Sequence, residues 1–111
     1  MMGYDLHITR AEHWADNDGC QISPQEWLEV VRNDPELTLE LFNSPYFAEW
    51  SGECNYSAGG WFDWLEGNVY TKNPDRQILL KMLELATTLK AKVQSDDGEN
   101  YHSIEDWLRV T

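Results

Sequence analysis

The residues of this chain able to do chemistry are its twenty carboxylates, three histidines and two cysteines. Asp5 and His7 stand two apart in the alternating run Tyr4-Asp5-Leu6-His7-Ile8-Thr9, so a strand places both side chains on one face. The acidic turn Asp96-Asp97-Gly98-Glu99 is the candidate to converge with them on a pocket. Together Asp5, His7, Asp96, Asp97 and Glu99 support one reading, a small enzyme or a ligand- or metal-binding domain with these groups around a pocket. A hydrogen-bonded structural histidine beside a solvated turn accounts for the same residues without a site.

Other chemistries find less support. His7, His13 and His102 form no HxxH or HExxH pair, the close spacing on which zinc sites usually build, so no metal is expected. The aspartates around Gly19 fail the calcium-loop register: with Gly19 sixth, Trp14 falls at the first ligand position and Gln25 at the twelfth. Neither Cys20 nor Cys54 lies in a context that activates a thiol, and there is no GxSxG elbow, CxxC pair or phosphate-binding glycine loop. No catalytic residue and no cofactor is expected.

Binding is better served. Six tryptophans and a net charge of −12 are unusual for 111 residues, and the charge is concentrated. Thirteen acidic residues precede Lys72 against Arg10 and Arg32 alone; from Lys72 onward seven face six basic ones. Such a field repels nucleic acid and anionic membranes and draws in basic proteins at salt-dependent rates. In Trp61-Phe62-Asp63-Trp64, alternation puts Trp61 and Asp63 on one face and Phe62 and Trp64 on the other. If a helix covers Phe62 and Trp64, Trp61 is left beside carboxylates, a combination suited to a cationic surface. A second helix, carrying Trp27, Leu28 and Val31, covering that other face is the competing arrangement. The expected contact set is Trp61, Asp63, Glu66, Glu53 and Tyr56, the last two from the loop-like run Ser51 to Gly60.

The elements that must position these residues follow from periodicity. Tyr4 to Thr9 reads as a strand and Arg10 to Ile22 as a loop. Ser23-Pro24-Gln25-Glu26 has the residues of a capping box with proline in the first turn, and the helix it opens ends at Asn33-Asp34-Pro35. Leu37 to Phe42, Tyr46 to Trp50, Trp61 to Leu65 and Asn68 to Lys72 form an antiparallel meander, with Glu66-Gly67 as a hairpin turn. Pro74 to Lys90 is the longest helix, striped by Ile78, Leu79, Met82, Leu83, Leu85, Ala86 and Leu89. Ala91 to Gln94 is a short strand, and Ser103 to Arg109 a last helix. The expected fold is a single α+β domain: an antiparallel sheet of about four to five strands, one long helix across a face, and one or two shorter helices.

The segments Gly3 to Arg10, Ile22 to Leu28, Trp61 to Trp64, Thr71 to Asp75 and Ala91 to Glu99 resemble a family of small uncharacterised bacterial proteins. In size, acidity and single-domain build that family is similar to the immunity proteins that neutralise bacterial polymorphic or contact-delivered toxins. The resemblance implies a non-enzymatic, cytoplasmic inhibitor that covers the basic surface of a toxin. The absence of a basic, apolar leader and of a long apolar run fits a soluble protein with free thiols. Self-association through the aromatic face is a third reading.

Overall fold

The computed structural model describes residues 5–42, 44–52 and 60–110. Its elements in chain order are β1 (Asp5–Thr9), α1 (Pro24–Asn33), β2 (Leu37–Leu39), β3 (Ala48–Trp50), β4 (Gly60–Leu65), β5 (Asn68–Lys72), α2 (Arg76–Thr88), β6 (Lys92–Ser95), β7 (Asn100–Tyr101) and α3 (Ile104–Val110). The fold is α+β, with seven antiparallel strands among the described residues in the order β2-β3-β4-β5-β1-β6-β7.

The strand count exceeds the expected four to five because the sheet closes on very short strands. β7 has two residues, too few for alternation to show, and is the return arm of the Asp96–Glu99 turn. The alternation from Leu37 stops at Leu39, and Leu41 and Phe42 lie exposed beyond it. Among the described residues there are three helices, and the longest runs from Arg76 to Thr88 rather than from Pro74 to Lys90. Asp75 accepts from the Ile78 amide and so fixes its start, while Lys90 leaves the helix with φ of 55°. In α1 both halves of the capping box form: Glu26 N–H donates to Ser23 Oγ at 3.1 Å, and Ser23 N–H to Glu26 Oε1 at 3.0 Å.

One face of the sheet carries the core. Leu6, Ile8, Phe62, Val69 and Val93 are sealed there under Trp27 and Val31 of α1 and Ile78, Leu79, Met82, Leu85 and Ala86 of α2, with Ile104 of α3 joining the same cluster. Burying each large side chain stabilises the fold by about 1.5–3 kcal/mol. Trp27 keeps its indole N–H satisfied by the Tyr46 carbonyl at 2.8 Å, as Trp64 does with Ile22 at 2.8 Å. Both major helices share this side, so α1 does not cover Trp61.

The opposite face bears Trp61, Asp63, Tyr70, Lys72, Asp5, His7 and Gln94, as the register Asp63↔Tyr70, His7↔Tyr70 and His7↔Gln94 requires. Part of it is crossed by the irregular stretch after β1. Gln94, fully buried, donates to Glu12 O at 2.7 Å and accepts from Trp14 N at 2.7 Å. Asn68 donates to Trp14 O at 2.8 Å, and Asn17 to Glu66 O at 2.8 Å. Two buried amides thus anchor a loop that has no periodicity of its own.

Candidate functional site

His7 sits in the middle of β1 and is 5% exposed. Its Nε2 lies 2.8 Å from Asp96 Oδ1, and the Asp5 N–H donates to Asp96 Oδ2 at 3.1 Å. The β1–β6 ladder accounts for this meeting: His7 opposes Gln94 and Leu6 opposes Ser95, so the next step sets Asp96 against Asp5. One potential ligand atom from each of Asp5, His7 and Asp96 lies within 4.8 Å of the other two. The Trp14 indole covers the imidazole at 3.8 Å with the planes 5° apart, and its N–H donates to Asp96 O at 3.1 Å.

Of the five residues expected around a pocket, these three converge. Asp97 and Glu99 are exposed, and their backbone amides donate to Ser95 Oγ at 3.2 and 3.1 Å, closing the turn that presents Asp96. Beside His7 opens a cavity of about 420 Å³, lined by Asp5, His7, Trp14, Asn17, Leu65, Glu66, Asn68, Tyr70 and Lys72 among others. Lys72 Nζ stands 3.5 Å from Asp5 Oδ1.

The aromatic half of this face adjoins the cavity. Trp61 is half-buried, stacked on Phe47 at 5.0 Å and edge-on to Tyr70 at 5.5 Å. Burial pushes the Tyr70 phenol above its ordinary range, and the carboxylates of Asp63 and Asp5 add to the rise. Asp63 is 8% exposed, and its Oδ1 accepts from the Ser44 hydroxyl at 2.7 Å and from Trp64 N–H at 2.9 Å. Burial raises its carboxyl above the usual range while those two hydrogen bonds pull the other way. Asp63 therefore faces inward to the Ser44 segment.

Glu66 is exposed at the rim of the cavity. It occupies the first position of the two-residue β4–β5 turn with φ of 51°, followed by Gly67 at 89°. Positive φ at both positions is the hairpin geometry that favours Asn-Gly, and glutamate there is strained. Glu53, Tyr56 and Cys54 lie outside the described residues, and Cys20 is an exposed free thiol.

Trp14, Asn17, Asn68, Tyr70 and Lys72 shape the cavity but were not singled out by sequence. Tyr70 and Lys72 were legible as face-sharers of Asn68 in a strand. Trp14 had no signal, because a loop has no period that says where its indole goes. No helix among the described residues is long and apolar enough to cross a membrane. No family model, curated protein or solved structure matches the chain, so the reading of this face rests on its own geometry.

Proposed function

We propose that the chain is an acidic, non-enzymatic binding protein that docks a cationic protein on the helix-free face of its sheet, in the manner of an immunity protein covering a toxin's basic surface. The observation that carries this reading is the stacked run of Phe47, Trp61 and Tyr70, whose Tyr70 end lines a cavity together with Trp14, Asp5 and Glu66. Aromatic rings and carboxylates side by side on one face accept a guanidinium or ammonium group by cation–π and ionic contact. The charge of −12 steers such a partner in, and half-buried indoles are the side chains on which contact energy concentrates.

Glu66 adds support. Its left-handed backbone disfavours glutamate, and strain kept at an exposed residue on a pocket rim points to a functional carboxylate. The test is to co-express the chain with each secreted effector encoded beside its gene, scoring growth rescue and co-purification at rising salt. Rescue that Trp61→Ala or Glu66→Lys abolishes, with the circular-dichroism spectrum unchanged, supports the reading. Absence of any complex, or a complex indifferent to both substitutions, counts against it, and self-association seen by sedimentation would transfer the face to a second copy of the chain.

A further inference from the structure

We propose that Asp5, His7 and Asp96 form a binding site for a divalent transition-metal ion of the zinc type. The site shares Asp5, Trp14 and the cavity with the proposed docking face, so a dication there would compete with a cationic partner at that end, but the assignment rests on the donor geometry and its test involves no partner. One imidazole nitrogen and two carboxylate oxygens lie within 4.8 Å of one another, a donor set that suits zinc and its neighbours rather than calcium or magnesium, which favour all-oxygen shells.

The electrostatics of the ladder point the same way. Just beyond the last β1–β6 pair, Leu6↔Ser95, the carboxylates of Asp5 and Asp96 come close together, and like charges so placed repel. The lysine beside them, Lys72, is 3.5 Å from Asp5 Oδ1 with more than half its side chain in solvent, so it is free to swing away. A dication between the carboxylates offsets that repulsion.

The nitrogen donor is preorganised. His7 is held in mid-sheet, and Trp14 stacked on its ring fixes the imidazole plane as an outer-shell partner does in a metal site. Little rearrangement is needed: His7 Nε2 and Asp96 Oδ1 are 2.8 Å apart, and tetrahedral zinc holds such ligands about 3.3 Å apart. Asp96 lies in an exposed turn that can yield that distance. Three protein ligands leave a position open, and the 420 Å³ cavity that Asp5 and His7 line gives water or a small ligand access to it.

The experiment is calorimetric titration of the full, untagged, chelator-stripped chain with zinc chloride, with magnesium chloride in parallel, and thermal unfolding with and without each ion. One zinc per chain, bound at micromolar concentration or tighter and raising the unfolding temperature, is expected, with magnesium inert. Asp96→Asn and Asp5→Asn each weaken zinc by at least about tenfold, while Glu99→Gln and His13→Gln leave it unchanged. Asp96 carries the test because it is exposed, so its substitution spares the core even if a His7 variant fails to fold. No saturable binding below millimolar zinc, or binding that Asp96→Asn leaves intact, overturns the assignment.

Discussion

Lys81 offers the sharpest test of what holds α2 to the rest of the fold. Its side chain is 4% exposed, and its ammonium lies 2.7 Å from Asp34, 2.8 Å from Glu36 and 2.7 Å from Glu84. Burial alone would lower its pKa, but the hydrogen bonds to the three carboxylates win and raise it well above the ordinary lysine value. Lys81→Met keeps the apolar stem and deletes the charge, leaving three carboxylates around a vacated point. Removing one partner of a fully buried pair costs about 3–5 kcal/mol. Here Glu36 and Glu84 are 51% and 65% exposed and regain water when released, which brings the expected loss to about 2–3 kcal/mol. For a domain of this length that is a fall of roughly 10–15 °C in melting temperature. Urea and thermal unfolding at neutral pH measure it, and adding Asp34→Asn to the variant should recover part of the loss by thinning the carboxylate cluster. A midpoint unchanged or raised in Lys81→Met would refute the view that this cation clamps α2 to the α1–β2 junction.

Other substitutions probe separate features. Glu66→Asn suits the positive φ at the hairpin and should stabilise the fold by about 0.5–1 kcal/mol in urea titration while weakening partner capture, separating stability from binding. Asp63→Asn keeps an oxygen for Ser44 and Trp64 and removes a buried charge. Because burial raises that carboxyl, its ionisation opposes folding at neutral pH and the opposition fades as acid protonates it, so the variant should equal or exceed the parent at pH 7 and lose that margin in acid. Glu26 behaves oppositely: its hydrogen bonds with Arg10 at 2.9 and 2.7 Å, with the Ser23 amide adding to them, hold it down at about 2. Its contribution is complete above the unfolded value of about 4.5 and disappears as pH falls towards 2, so the urea midpoint should drop across that window in the parent and drop less in Glu26→Gln.

Much of this fold was legible because local chemistry and tertiary packing agree. The Ser23-Pro24-Gln25-Glu26 start of α1 and the Asn68–Lys72 strand lie where capping and alternation put them. What escaped was set by partners rather than by the chain nearby. β7 exists only as the return arm against β6, and β2 stops at Leu39 because β3 offers it three partners. The candidate site divides the same way. That Asp5 and His7 share a face is a property of one strand, and the acidic turn was a named candidate to join them. The choice of Asp96 from that turn depends on a register between strands far apart in sequence. Trp61 on the face away from the helices follows from alternation once α1 and α2 are known to share a side. Asp63, on that same face, is drawn inward by Ser44, a contact no periodicity announces.

The position of β1 between β5 and β6 reaches beyond architecture. β1 divides the sheet, and the residues that meet it on one side lie far along the sequence, His7 and Asp96 being 89 residues apart. β2 to β5 pair with their neighbours in sequence, but the β6–β7 arm, though it packs on α2, joins those strands only through β1. Long-range closure of that kind slows folding. A chain deprived of its opening strand is left with two sheet fragments sharing one helical roof, each exposing a raw edge to its neighbours.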